Sequence, residues 1–133
     1  GIDISDDLII EAKKRHPKIN LLVMDLEEKN FKDNSFDYVV SSQVFNHKLK
    51  SEKNISLSRK MMKIMFKIAK KGVAIDFLSS YVDFKESRHF YYFPETQLTF
   101  AKKISKRVIL RHDYPLFEFC IYIYPDFKGW KKF

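Results

Sequence analysis

The sequence has few of the residues on which several common protein sites depend. Among its 133 residues there are only three glycines and one cysteine, Cys120. A single cysteine cannot form an internal disulfide, so we expect a reducing compartment and a cytoplasmic protein. The sequence has no Gly-x-Ser-x-Gly elbow, no phosphate-binding Gly-Lys-Ser/Thr motif and no zinc-ligand spacing. These absences exclude the serine-hydrolase, P-loop and zinc-finger classes of site.

Long apolar runs are absent as well. No stretch of about 18 uncharged apolar residues occurs, which is the length that a membrane-spanning helix needs, and the first residues show no charged segment followed by an apolar one, as a signal peptide would. Hydrophobic residues nevertheless make up 45% of the chain and aromatic residues 16%. That composition argues against disorder, and the length suits one globular unit.

The chain is basic, with a formal net charge of +8. A nucleic-acid partner would explain this charge, but a solvated surface explains it more simply because the basic residues are spread out rather than clustered. They occur mainly in four stretches: Lys13 to Arg15, Lys48 to Lys71, Lys102 to Arg111 and Lys128 to Lys132.

The first third of the chain alternates helix and strand patterns. Ser5 is a typical N-cap for a helix that ends before Pro17, with basic residues in its last turn. Residues 19–24 and 36–41 are continuous apolar runs of strand length. Such runs are typical of parallel strands, so we expect both to be buried on two sides.

The remainder continues the alternation and ends in two strands. Helical spacing runs from Leu57 to Lys70, with Gly72 as the expected C-cap, and a strand follows over residues 73–78. Pro94 opens another helix. Residues 107–111 and 117–124 read as an antiparallel hairpin. The pattern predicts an α/β fold with a mostly parallel sheet and an antiparallel edge.

Small polar or acidic residues close three of the predicted strands. Asp3 ends the first apolar segment, Asp25 ends the second, and Ser41 and Ser42 end the third. Open α/β sheets bind ligands at the carboxyl ends of their strands. The pair of acids therefore predicts a nucleoside-type site.

These segments together resemble the class I S-adenosylmethionine-dependent methyltransferases. The resemblance rests on Gly1-Ile2-Asp3-Ile4-Ser5, on Asp25-Leu26, and on the stretch from Asn34 to Ser42; residues 71–77 resemble the family's fifth strand. It covers nearly the whole chain. It implies a Rossmann-like three-layer α/β/α sandwich, with residues 1–133 forming a single methyltransferase-like domain.

The resemblance also implies S-adenosylmethionine as cofactor and a role for each matching residue. Asp3 would accept hydrogen bonds from the ribose hydroxyls, since a carboxylate offers acceptors to two adjacent donors, and Ile4 would lie against the adenine. Asp25 would receive the adenine amine, and the backbone N–H of Leu26 would bond a ring nitrogen. Ser42 would face the methionine part of the cofactor.

One feature of the family is missing from the sequence. The glycine-rich loop that follows the family's first strand has no counterpart here, and the three glycines lie far apart, at positions 1, 72 and 129. The sequence resembles a methyltransferase that begins at the end of its second strand. We therefore expect an N-terminally incomplete domain that belongs to a longer protein; the alternative is that another chain fills the gap.

Methyl transfer needs alignment of the two reactants and, for a protonated acceptor, a base. His47 is the first candidate because it lies just past Ser42 and histidine accepts protons near neutral pH. His89, Tyr91 and Tyr92 are further candidates, and an ordinary loop position is the alternative for either histidine. The aromatic residues between 84 and 93 would line an acceptor pocket or pack over the sheet.

The function expected from these residues is methylation of a small molecule or a sugar precursor. Alternatives are a nucleic-acid methyltransferase or binding module, and a non-catalytic subunit that keeps the fold. We expect neither a metal site nor a membrane partner. Association of identical chains is a further expectation, through a surface formed by Tyr122, Tyr124 and Trp130.

Overall fold

The computed structural model describes residues 1–50 and 53–129, which divide into two compact units. The first unit, residues 1–31, contains β1 (Ile2–Asp3), α1 (Asp6–Arg15) and β2 (Leu22–Val23). Strands β1 and β2 pair in parallel. As expected, Ser5 caps α1, its Oγ accepting from the backbone N–H of Leu8 at 3.3 Å, and His16 ends the helix.

The second unit begins at residue 32 and holds the larger sheet. Its elements, in chain order, are β3 (Phe36–Ser41), α2 (Asn54–Ile68), β4 (Ala69–Leu78), α3 (Pro94–Ile104), β5 (Arg107–Arg111) and β6 (Glu118–Tyr124). The strand order is β3-β4-β6-β5. Strand β3 pairs in parallel with β4, whereas β6 is antiparallel to both β4 and β5. The expected α/β class and antiparallel terminal hairpin are confirmed.

The core of the second unit lies on one face of its sheet. Alternate residues of β4 and β6 point into it, as the two-residue period of a strand requires, and side chains of α2 and α3 cover them. Fully buried members of this core are Met62, Ile75, Phe77, Ala101, Phe119, Ile121 and Ile123. Tyr122 and Tyr124, on the opposite face, are half-buried, and Trp130 lies outside the described residues.

The predicted burial of two early strands on both sides is wrong. Leu22 and Val23 are the only residues of the 19–24 run in a strand, and both side chains are exposed. In β3, Val39 is turned toward the core while Val40 on the other face is 71% exposed. Each strand has one pairing neighbour among the described residues, so both are edge strands there, and neither is covered on both faces as its sequence predicts.

The predicted end of the long helix is also wrong. Helix α2 ends at Ile68 and β4 begins at Ala69, so Gly72 is a strand residue rather than a C-cap. The reason is pairing, because Gly72 stands opposite Tyr38 of β3 and the next residue, Val73, is paired on both sides, with Val39 and Ile123. The hydrogen bonds of two neighbouring strands outweigh local helix propensity here.

Candidate cofactor and acceptor site

The first unit carries the two predicted acids at one edge of its sheet. Asp3 is the last residue of β1, and Asp25 follows two residues after the end of β2. Because the strands are parallel, they end at the same edge, and the N–H of Met24 donates to the Asp3 carbonyl at 2.9 Å. The structure thus places both acids at neighbouring strand ends, as predicted.

Both carboxylates are half-buried and fixed by their own backbone. Oδ1 of Asp3 accepts from the N–H of Ser5 at 2.8 Å, and Oδ1 of Asp25 accepts from the N–H of Glu27 at 2.7 Å. Among the described residues, Oδ2 of each acid makes no hydrogen bond to a side chain. Two oriented acceptor oxygens at a strand edge suit the hydroxyl and amine donors of a nucleoside.

The two apolar residues beside these acids differ in exposure. The side chain of Ile4 is 74% exposed, so it offers a bare apolar surface next to Asp3. Leu26 is half-buried in a turn that the N–H of Lys29 closes on the Asp25 carbonyl at 3.0 Å. An exposed isoleucine can lie against a planar ring, as the sequence predicts for adenine.

In the second unit, Ser42 is bound to an acid of the neighbouring strand. Its Oγ donates to Oδ2 of Asp76 at 2.6 Å, and the backbone N–H of Gln43 donates to Oδ1 of the same carboxylate at 2.7 Å. Gln43 has a φ of +63°, a left-handed conformation that is uncommon for a residue with a side chain. The two bonds from Asp76 hold the chain in this turn directly after β3.

The side chain of Gln43 extends the same network. Its Nε2 donates to Glu118 at 2.5 Å, and its Oε1 accepts from Nδ2 of Asn46 at 3.0 Å. The Asn46 side chain is turned back to the sheet and accepts from the N–H of Leu78 at 3.1 Å. Sequence analysis did not predict a site role for Gln43, Asn46 or Asp76. Asp76, an acid inside the apolar run 73–78, was a signal in the sequence that could have indicated such a role.

The structure brings the two candidate histidines together. His47 and His89 pair across an isolated antiparallel bridge, with their ring centroids 5.9 Å apart. His47 is exposed, and His89 is partly buried with Nδ1 3.7 Å from Glu86. The ring of His89 therefore lies beside that of His47 in the segment beyond the end of β3.

The two candidate tyrosines differ in burial and in hydrogen bonding. Tyr92 is 1% exposed, and its hydroxyl donates to the carbonyl of Phe45 at 3.2 Å. Burial raises the pKa of Tyr92 to about 12, so this phenol does not act as a base near neutral pH. Tyr91 lies nearer the surface, and its hydroxyl oxygen accepts from the N–H of Glu86 at 2.9 Å.

A further polar group forms at the carboxyl end of β4. The hydroxyl of Tyr81 donates to Oε1 of Glu95 at 2.6 Å, and the ring of His112 lies 6.3 Å from that of Tyr81. The hydrogen bond with Glu95 raises the pKa of Tyr81, and the same bond lowers the pKa of Glu95. Asp113, in the β5–β6 connection, pairs with Arg111 at 3.1 Å.

Across residues 1–50 and 53–129, no group of three or more histidine, cysteine or acidic side chains is arranged to hold a metal ion. Cys120 is a free thiol, and its burial raises its pKa. No helix in this part of the chain is long and apolar enough to cross a membrane.

Comparisons with known proteins bear on the family and the fold. The model of a family described as a methyltransferase domain matches residues 1–75. No curated protein matches the sequence.

Among solved structures, magnesium protoporphyrin IX methyltransferase (ChlM) from Synechocystis PCC 6803 is similar. Its structure with bound SAM superposes with a TM-score of 0.67 at 13% identity, covering 95% of this chain and 58% of that one. The structure with bound SAH gives 0.69 at 12% identity, covering 95% and 63%. A chain of the Pnkp1/Rnl/Hen1 RNA repair complex gives 0.59 at 15% identity, covering 92% and 30%. The present chain thus spans about three fifths of ChlM.

Proposed function

Because the chain belongs to the methyltransferase domain family, we propose that its protein transfers a methyl group from S-adenosylmethionine to a small molecule or a sugar precursor. The observation that carries this proposal is the pair of half-buried acids, Asp3 and Asp25, at the ends of two parallel strands. The fold shared with ChlM, a structure solved with bound SAM, supports it.

The residues of the first unit fit the nucleoside part of this cofactor. Asp3 would accept the ribose hydroxyls, Ile4 would cover the adenine, and Asp25 with the N–H of Leu26 would read the adenine edge. Contact of Ser42 with the methionine part stays a prediction. When bound, S-adenosylmethionine supplies an electrophilic methyl group on a positively charged sulfur.

His47 is proposed as the group that orients the acceptor or takes its proton. It is exposed beyond the carboxyl end of β3, which is the edge where open α/β sheets bind their ligands. The partner His89 stands close enough to share the task, because the two ring centroids are 5.9 Å apart.

Calorimetric titration of the full-length protein with S-adenosylmethionine would test the cofactor site. Asp3→Ala or Asp25→Ala should weaken binding about 5- to 150-fold, because each removes a hydrogen-bonding carboxylate worth about 1 to 3 kcal/mol.

Asp37→Ala is the matched control, since Asp37 also belongs to the family resemblance but forms an exposed ion pair with Lys71 at 3.4 Å. Its affinity should equal that of the wild type. Equal binding by all four proteins would refute the cofactor site.

We also propose that the described fold is part of a longer domain. The exposed Val40 and Tyr38 on β3 support this, because parallel strands are normally covered on both faces. An upstream segment with a strand and a glycine-rich turn would complete it. Mass spectrometry of the natural protein should find a larger product, and an intact mass matching these 133 residues would contradict the proposal.

Two other functions stay open to test. The net charge of +8, together with a neighbour that belongs to an RNA repair complex, favours a nucleic-acid acceptor as the second candidate. A non-catalytic subunit is the third, and it is distinguished by failure to bind S-adenosylmethionine in the full-length protein. A cytoplasmic location and association of identical chains remain predictions.

A further inference from the structure

A cavity of about 630 Å³ opens beside His89, entirely within the second unit. Three segments surround it: the loop after β3, the start of α2, and the chain between β4 and α3. Its walls are formed by Lys48, Asn54, Ile55, Lys85, Glu86, Ser87, His89, Phe90 and Tyr91. A volume of this order is that of a small-molecule site.

Backbone hydrogen bonds join two of the walls. The N–H of Lys48 donates to the carbonyl of Arg88 at 2.9 Å, and the N–H of Phe90 donates to the carbonyl of Asn46 at 3.0 Å. The third wall is attached through Asn54, which is 2% exposed. Its Nδ2 donates to the carbonyl of His47 at 2.7 Å, and its Oδ1 accepts from the N–H of Leu49 at 2.9 Å.

This bonding fixes the backbone that carries Lys48. The N–H of Lys48 is bonded to Arg88, and Asn54 bonds the residues on either side of Lys48, so this part of the wall is held from two directions. The cavity is therefore formed by the fold itself before any ligand binds, which lowers the ordering cost of binding.

The charge on the walls is positive. Lys48 and Lys85 both line the cavity, and α2 begins there with no acid in its first turn, which places the positive end of the helix dipole at the cavity. Glu86 is the acid among the described lining residues. It is already engaged, with Oε2 2.8 Å from Nε of Arg88 and 3.7 Å from Nδ1 of His89.

The remaining walls are apolar and aromatic. Phe90 packs edge-on against Tyr92 at a centroid distance of 4.8 Å, which fixes the plane of its ring. Tyr91 holds the ammonium group of Lys85 5.6 Å from its ring centroid, and Ile55 completes the apolar surface. A flat apolar body fits such walls, with a negative group turned toward the lysines.

We infer that this cavity binds the methyl acceptor, and that the acceptor is a small planar or apolar molecule carrying a carboxylate or phosphate group. The inference rests on the proposed methyltransferase function and names its substrate class. Lys48 and Lys85 pair with the anionic group, and His89 faces the body of the acceptor.

The test uses three small probes on the full-length protein, with NMR shifts of Ile55 and the His89 ring as readout. 4-Hydroxybenzoate and phenyl phosphate carry the two anionic groups, and 4-hydroxybenzamide is the neutral twin. At least one anion should bind about tenfold more tightly than the amide, as expected for one charge-assisted hydrogen bond. The stronger of the two anions identifies the group.

Substitutions locate the contact. Lys48→Gln and Lys85→Gln should each remove most of this preference for the anion, whereas Lys70→Gln, an exposed lysine on β4, should leave it unchanged. Equal binding of the amide and both anions, or loss of preference in all three variants alike, would overturn the inference. Shifts caused by a single-stranded RNA but by none of the small anions would overturn it in favour of a nucleic-acid acceptor.

Titration with S-adenosylmethionine on the same samples distinguishes a failure of the proposed function from a failure of the proposed acceptor class. Selective anion binding without cofactor binding would refute the proposed function and not the anion site. Cofactor binding without anion selectivity would refute the acceptor class alone.

Discussion

Asp76 is the residue on which the turn after β3 depends most directly. One carboxylate holds both the Ser42 hydroxyl and the N–H of Gln43, a residue in a conformation that side chains rarely adopt. Asp76→Ala should lower the free energy of unfolding by about 2 to 4 kcal/mol, because two donors lose a charged acceptor. Urea denaturation measures the change.

Asp37→Ala on the neighbouring strand β3 is the comparison for Asp76→Ala. Asp37 meets Lys71 in an exposed ion pair, which contributes about 0 to 1 kcal/mol. If the two variants lose the same stability, the carboxylate of Asp76 has no special part in holding the turn.

The buried hydroxyl of Tyr92 makes stability depend on alkaline pH. Burial raises the pKa of Tyr92 to about 12 in the folded protein, against about 10 for an ordinary tyrosine. The folded state therefore keeps a proton that the unfolded state releases, so the contribution of this residue is complete below pH 10 and is lost as the pH rises toward 12. The loss is on the order of 2 to 3 kcal/mol.

Tyr92→Phe tests this dependence. The variant lacks the hydrogen bond to the Phe45 carbonyl and should be less stable than the wild type at pH 8. The difference should shrink, and then reverse, between pH 10 and 12 in unfolding curves. Tyr38→Phe, on an exposed ring, should give a difference that does not change with pH. A constant difference for Tyr92→Phe as well would contradict the assignment.

At the scale of the elements, Gly72 shows how two strands approach each other. A Cβ atom at this position would stand 3.0 Å from Cδ1 and 3.2 Å from Cε1 of the Tyr124 ring on β6. Gly72→Val should therefore lower the free energy of unfolding by about 1 to 3 kcal/mol through overpacking. Thermal or urea unfolding measures it.

A double-mutant cycle with Tyr124→Ala identifies the cause. If the ring is what the new side chain strikes, Gly72→Val should cost much less in the Tyr124→Ala background, so that the two effects do not add. Additive effects would mean that the loss of stability comes from the β4 backbone and not from contact with the Tyr124 ring.

At the scale of the whole molecule, the net charge of +8 leads us to expect some binding of nucleic acid. The salt dependence of that binding distinguishes a small-molecule acceptor from a nucleic-acid acceptor. For an enzyme acting on small molecules we expect only nonspecific nucleic-acid binding, because such binding falls steeply with salt. In filter binding with RNA and DNA, retention at 50 mM salt should be lost at about 200 mM. Retention of one particular RNA at the higher salt would favour the nucleic-acid candidate instead.

Much of the fold was predictable because its signals are local. The cap at Ser5, the proline that opens α3 and the terminal hairpin each depend on a few adjacent residues. The positions of Asp3 and Asp25 followed from the apolar runs that they end, and the family resemblance added a role for each. By contrast, Gly72 looks like a helix end, and only its pairing with distant strands makes it a strand residue.

The missed parts of the candidate site are contacts between residues far apart in the chain. Gln43 and Glu118 are separated by 75 positions, and nothing in either local sequence indicates that they meet. The bridge between His47 and His89 has the same character, since it depends on how two loops return over the sheet.

The direct passage from α2 at Ile68 to β4 at Ala69 limits how this protein can diverge. With no residue between helix and strand, inserting or deleting one there would turn every β4 side chain to the opposite face, placing Asp76 in the core and turning Ile75 and Phe77 out of it. Connecting segments generally accept changes of length better than such junctions do, and the segments after β3 and after β4 form two of the cavity walls. Evolution can thus alter what the cavity accepts while the sheet beneath it stays fixed.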